Sequence, residues 1–489
     1  MSGETTRQET EAAATEGATP ATGGNPLQAF AEWVALVPPV WPEEAWHSAH
    51  REFIDQIAVT IAGAREPATR IVRTTAARWG LGASTAVGHP VKLASPWAAL
   101  VNGTAGHALD YDDNFDPPKA HATTVLAPAI LALTEELGLG GAQALDAYIV
   151  GLQIQGRVGQ GINPYHRNRG WHATATTGAI GAAAACARLL RLNAEQTACA
   201  LSIAVSQAAG FMSQFGTMTK PLHAGLAAKA GIVAARLAEG GLTAGLGVLD
   251  GPHGMQRLMV GPDFETLRDN LAHIDHGQNM RFETEKVGEP LLILAHGFRV
   301  KRFPNCGSAH RAMDALLHLI GEYRFTADEA ERIVVRAPAV HLNNLMYRAP
   351  RTGLEAKFSL EYALASLLVR RRAGIPEFTD EAVQDPAVRA AMAKVVREPV
   401  EGLEGETPTR VTVTLTDGRV LVEEREWPEG SNWKPFPDEV YWRKFEECAT
   451  GVLPPDRLKW ARAALEEFRE LDHVGTLMAP LACTLADAE

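Results

Sequence analysis

The chain has 489 residues and a formal net charge of -12. Its length supports a large core and more than one domain. The acidic balance excludes a general nucleic-acid binder, whose phosphate contacts need surplus Lys and Arg, while leaving room for a locally basic cleft that takes a small polyanion.

Residues 1–25 are Ala, Thr, Gly and Glu with almost no large apolar side chains. Such a segment buries too little surface to offset its ordering entropy and reads as a disordered tail. It lacks the basic start and apolar run of a secretory signal, and no later stretch has the length and apolarity of a membrane span. The expectation is a cytoplasmic protein with no membrane partner. Five cysteines, Cys186, Cys199, Cys306, Cys448 and Cys483, lie far apart and form no C-x-x-C pair. They support neither a disulfide framework nor a Cys-based zinc site.

From 26 to 286 the chain is rich in Ala, Leu and Gly, with apolar residues spaced by three and four, as in Ile54, Ile57, Ala58 and Ile61. That spacing predicts helices, and the small residues let them approach closely, so an all-helical domain is expected. From 287 to 433 the character changes. Ile333-Val334-Val335, continuing through Ala337-Pro338-Ala339-Val340, is strand-like, and Arg410–Leu415 alternates before an Asp417-Gly418 turn and Val420-Leu421-Val422, which reads as a hairpin. Helical spacing at Met313, Leu316, Leu317 and Ile320 and over 358–365 makes this middle region α+β. From 434 to 489 helical spacing returns at Tyr441, Trp442 and Phe445, in a segment too short to fold alone that should pack back on the first region.

Four motifs stand in turns marked by Gly, Pro or small residues. In 107–114 three carboxylates, Asp110, Asp112 and Asp113, fall within four residues, followed by His121. They suit a helix terminus or a metal, although the alternating oxygen series of a calcium loop is missing. In 169–178 His172 precedes a helix start, where N–H groups favour anions and lower an imidazole pKa; a histidine in that place alone is more often a capping or packing residue than a catalyst. In 216–225 Lys220 and His223 are fenced by Gly, Pro and small residues, as suits a cation that orients a carboxylate. In 300–310 Lys301 and Arg302 precede a Pro turn, Cys306 and His310, a candidate carboxylate clamp, while a lone Cys is commonly a small buried hydrophobe. Lysines around a histidine or aspartate base are what proton abstraction beside a carboxylate requires.

These motifs, HALDYDD with its following histidine, RGWHATATTGA, SQAAGFMSQFGTMTKPLHAG and KRFPNCGSAH, resemble those of the MmgE/PrpD family. The resemblance runs from about Gln28 to Pro480. It implies a mainly α protein, with a large all-helical domain made of 26–286 and 434–489 and a smaller α+β lid domain, 287–433, inserted between them. It further implies a homodimer without cofactor or metal, acting on small polycarboxylates as a 2-methylcitrate dehydratase, cis-aconitate decarboxylase or iminodisuccinate epimerase. Carried over by motif, Asp110, His121, His172, Lys220 and Lys301 are the expected catalytic set. Asn114, His223, Cys306, His310 and Tyr347 are the expected substrate contacts.

Asn114 stands where the family has a threonine, Cys306 where its decarboxylase branch has a histidine, and Met218-Thr219-Lys220-Pro221 where its dehydratase branch has Arg-Lys-Ser-Trp. The 218–221 wording steers away from the dehydratase branch proper and Cys306 from the decarboxylase branch, while the proton-transfer core is kept. The expected reaction is dehydration of a 2-methylcitrate- or citrate-like hydroxy acid, with His172 or Asp110 moving the carbon-bound proton and His121 assisting the leaving hydroxyl as acid. Epimerisation, decarboxylation and non-catalytic carboxylate binding are the alternatives.

Overall fold

Alanine and glycine set how closely the helices of the first region pack in the computed structural model, which describes residues 24–271, 279–401 and 407–485. The tail expected over 1–25 lies, but for Gly24 and Asn25, outside the described residues. A Cβ on Gly231 would stand 2.4 Å from that of Ala182, and one on Gly151 would stand 2.8 Å from the Gly181 carbonyl oxygen. The Thr219–Glu239 helix crosses Ser95–Ala108 just as tightly, since a Cβ on Gly225 would lie 2.2 Å from the Leu100 carbonyl oxygen. Asp110 follows the end of one of these helices and Lys220 stands in the first turn of the other, so their crossing fixes the distance between the two groups. Gly225→Ala is therefore expected to destabilise the protein by about 1–3 kcal/mol through overpacking and to lower turnover, read by thermal melts alongside steady-state rates.

The chain is mainly helical, with one four-stranded sheet in the order Val395–Val400, Ala330–Pro338, Thr409–Leu415, Val420–Arg425. Its first pair is parallel, with Ile333 opposite Val395, and the others are antiparallel, with Val335 opposite Val411 and Val413 opposite Leu421. The Asp417-Gly418 hairpin is where the alternation puts it. The expected strand is cut short at Pro338, beyond which Ala339–Asn344 is helical; Val395–Val400, interrupted by charges and Pro399, carried no alternation to reveal it.

Buried apolar side chains separate into helical cores and a second core. Ile333, Val335, Val411 and Val413 of the sheet share the second core with Met313, Leu316 and Leu319 of the His310–Tyr323 helix and with Leu360 and Leu364 of Leu360–Arg370. Its first apolar residue is Phe303. Val287, Leu292, Ile293, Phe298 and Val300, placed by sequence with the middle region, pack in the helical cores instead. Tyr441, Phe445, Leu465 and Phe468 from the C-terminal helices join the same core as Phe53 and Ile57. Among the described residues, no helix is long and apolar enough to cross a membrane.

Candidate active site

Asp110 is the hub of a cleft between the helical core and the second core. Its φ of 51° lies in the left-handed region, which Asp tolerates better than most residues, and this bend turns the chain out of the Ser95–Ala108 helix. The carboxylate is buried, and one oxygen, Oδ1, accepts from Lys220 Nζ at 2.9 Å and from Lys301 Nζ at 2.7 Å. Lys301 also donates to the Asp110 carbonyl at 2.7 Å. Burial pushes the Asp110 carboxyl up, but the two ammonium groups outweigh it and hold the group well below the usual carboxylate range. Reciprocally, Asp110 and Asp112 overcome the burial of Lys301 and keep it charged. Each ammonium carries three donors, so Asp110 occupies one on Lys220 and, with its carbonyl, two on Lys301. The remainder are available to a substrate.

Both lysines are held from behind. Phe215 and Phe358 place ring faces 5.2 and 5.1 Å from Lys220 Nζ. The C-terminal Lys444 is buried against Asp55 at 2.7 Å and donates to the carbonyls of Tyr111 and Lys301 at 2.8 and 3.2 Å, tying the chain on either side of the site to the returning helix. Lys357 donates to the Leu109 carbonyl at 2.8 Å.

Imidazoles stand around this ion triplet, and hydrogen bonds fix the tautomers of two of them, His121 and His107. His121 Nδ1 lies 2.7 Å from the Asp113 carbonyl, which can only accept, so Nδ1 carries the proton. Burial, with Lys301 and His107 nearby, lowers its pKa well below the ordinary value despite Asp112, so at neutral pH its Nε2 is a bare lone pair. That nitrogen is 3.8 Å from Asp110 Oδ1. The acid role expected for His121 is therefore not what the geometry offers, because a neutral ring protonated on Nδ1 presents a base. His107 likewise donates Nδ1–H to Asp112 at 2.7 Å.

His172 precedes the Ala173–Leu189 helix, with its N–H bonded to the Gly210 carbonyl at 2.9 Å. Its Nδ1 lies 3.1 Å from His223 Nδ1, and its Nε2 is buried without a protein partner. Burial first, then Lys220 and the neighbouring imidazoles, drive its pKa well below normal. It is neutral at physiological pH.

The cleft is lined by Asp110, Asn114, His121, His172, Lys220, Lys301, Cys306 and His310, which sequence reasoning placed at the site. His223 does not line it but stands behind His172, and Tyr347 is turned away, its hydroxyl donating to the Phe215 carbonyl at 2.9 Å. His310 is buried, bonded to Asn305 Oδ1 at 2.9 Å, and burial with Lys301 nearby lowers it to about 3. Sequence reasoning missed Arg167, Ser308 and Asn344. Arg167 Nη2 donates to Asn344 Oδ1 at 2.6 Å and Asn344 donates to Ser308 Oγ at 2.9 Å, a polar bridge from the helical side to the second core. Arg167 falls two residues before a motif already singled out, which was the one available signal. The lining holds five cations, Lys119, Arg167, Lys220, Arg299 and Lys301, against three carboxylates, Asp110, Asp116 and Glu429. On an acidic protein this is a locally basic cleft suited to a polyanion.

His107, Asp110, Asp112 and His121 also bring ligand-type atoms within 4.8 Å of one another. A cation there would have to displace two ammonium groups from Asp110 and compete with the His107–Asp112 bond. These residues fit an internal ion-pair network better than a metal centre.

Comparison with known proteins supplies the context for this geometry. Cis-aconitate decarboxylases of Mus musculus and Homo sapiens are each 30% identical to the chain over 81% of its length, spanning 80% and 81% of those proteins. Cis-aconitate decarboxylase of Aspergillus terreus is 28% identical over 90% of this chain and 92% of its own. Residues 28–267 match the MmgE/PrpD N-terminal domain and residues 303–467 the MmgE/PrpD C-terminal domain, the two segments whose side chains meet around Asp110, and the chain thus belongs to the MmgE/PrpD family of enzymes.

Proposed function

We propose that this chain is a cofactor-independent lyase that acts on a small di- or tricarboxylate by proton transfer at a carbon next to a carboxylate. The observation that carries this reading is the placement of two neutral imidazoles, His121 and His172, beside a buried Lys220–Asp110–Lys301 triplet in one basic cleft. Charge that develops on a substrate carboxylate as the adjacent carbon becomes carbanion-like is stabilised by the spare donors of Lys220 and Lys301. Water is excluded where these groups are buried, which strengthens that interaction.

In the dehydration favoured here, His121 Nε2 takes the carbon-bound proton, and the Asp110 carboxylate 3.8 Å away favours the imidazolium that forms. His172 donates from Nε2 to the departing hydroxyl. A second reading, loss of CO₂ from an unsaturated tricarboxylate, is favoured by the names of the relatives. It needs no base: the same lysines stabilise the carbanion left by CO₂ and His172 protonates it. The two readings therefore differ at His121 and agree at His172.

The test is a mass-spectrometric screen of citrate, 2-methylcitrate and cis-aconitate in D₂O, with wild type and His121→Gln. Dehydration predicts loss of water from a hydroxy acid and a fall of about 10²–10⁴ in kcat for the variant. Decarboxylation predicts CO₂ and a much smaller fall. Deuterium incorporation with neither loss would assign epimerisation, and no change in any acid would overturn the reading.

A further inference from the structure

The His172–His223 contact joins like atoms, Nδ1 to Nδ1, at 3.1 Å. A hydrogen bond there requires one ring to carry the Nδ1 proton and the other to leave its Nδ1 bare. If His172 donates, its cleft-side Nε2 is a lone pair; if His223 donates, His172 Nδ1 accepts and its Nε2 holds the proton. His121 and His107 have no such freedom, because a carbonyl and a carboxylate fix their tautomers.

Both rings are held neutral by their surroundings. Lys220 from its own helix, His107 from the Ser95–Ala108 helix and His121 from the loop before Thr123–Leu137 all face His172 with groups that disfavour a second positive charge. His223 meets the same Lys220 and His107, and burial first, then these groups, lowers it to about 4. A proton that leaves His172 is therefore best replaced through the ring behind it rather than by a standing imidazolium.

Resting on the lyase reading above, we propose that His223 is the positioning residue for His172, and that the pair relays protons by exchanging tautomers. In the resting state His223 Nδ1–H donates to His172 Nδ1, and His172 Nε2–H faces the substrate. When His172 Nε2 gives its proton to the departing hydroxyl or to the carbanion, His172 Nδ1 takes the proton of His223 Nδ1. His223 Nε2 takes one from solvent water. One proton enters at His223 Nε2 and one leaves at His172 Nε2, and both rings end neutral with opposite tautomers; a proton moving the other way resets them. His223 thus acts through His172 without touching substrate, which is why it lies outside the cleft lining.

The experiment uses His223→Phe, which keeps a ring but removes both nitrogens, and His223→Leu, which likewise offers no donor, as a second variant should the first fail to fold. In substrate-free protein labelled with ¹⁵N-histidine, His172 is assigned by difference with His172→Gln. Wild type should show His172 protonated on Nε2, and the His223 variants should lose that preference; an unchanged His172 tautomer would overturn the pairing. With whichever acid the wild type converts, the variants should lose about 10–100-fold in kcat with KM within about twofold, because proton delivery and not binding is impaired. A raised KM with unchanged kcat would make His223 a substrate contact and sink the relay. If the wild type converts no polycarboxylate, the lyase reading fails, and the nitrogen shifts still decide whether His223 sets the tautomer of His172.

Discussion

Replacing His172 by Gln is expected to lower kcat by about 10²–10⁴ while leaving KM near wild type. The amide can fill the space and donate a hydrogen bond, but it cannot transfer a proton at Nε2. Because both proposed readings use His172 as acid, the loss should appear whichever product the wild type forms. The pH dependence carries a second signature. Burial and Lys220 put the His172 pKa well below the ordinary imidazole value of 6.5, and His121 is lowered likewise by burial and Lys301, so both rings stay neutral as pH falls through 6.5. The wild-type kcat/KM should therefore hold its plateau below pH 6.5 rather than fall there. A profile with an acidic limb centred near 6.5 would show that neither ring is held neutral as the geometry requires.

Asp110→Asn should be the most destabilising change at the site, lowering unfolding free energy by about 3–5 kcal/mol, because it leaves two buried ammonium groups facing a neutral amide. Denaturant titration at neutral pH measures the loss, and Asp110→Asn combined with Lys220→Met should recover part of it by removing one stranded charge. The pH window follows from the direction of the Asp110 shift. Its pKa is depressed below the ordinary aspartate value of 3.8, so its contribution is present above that value and is lost as pH falls toward the folded-state pKa. The gap between wild type and variant should be constant from neutral pH down to about 4 and should close only below it. Equal stability of the two proteins at pH 7 would mean that the triplet contributes nothing.

The two variants separate roles that a drop in activity alone would confuse. Among the described residues His172 has no carboxylate partner, and it lines the cleft, so its removal should act on turnover. Asp110 organises charge, and its removal acts on the fold and on both lysines together. The φ of 51° at Asp110 is part of the same arrangement, since that bend aims the carboxylate and the backbone carbonyl of one residue at a single Lys301 ammonium.

Much of this was legible in the chain itself. Spacing of three and four announces the helices, period-two alternation over 409–415 with Asp417-Gly418 announces the hairpin, and motif wording places Asp110, His121, His172, Lys220 and Lys301 at one site. These are local signals, carried by residues a few positions apart. What the sequence could not supply was anything that depends on two distant segments meeting. Lys220 and Lys301 read as two arms waiting for a substrate; only the folded chain shows both ammonium groups sharing one oxygen of Asp110.

Histidine roles illustrate the same limit. His121 is expected as an acid, but its hydrogen bond to the Asp113 carbonyl puts the proton on Nδ1 and leaves Nε2 bare, the geometry a base has. His223, expected as a substrate contact from its motif, stands behind His172. Sequence alone determined the kind of chemistry, because residue types and local periodicity are written along the chain. Tertiary structure decided which nitrogen carries the proton, which cation is already paired and which side chain reaches the cleft, because each depends on how the folded backbone aims a partner 8 to 191 positions away.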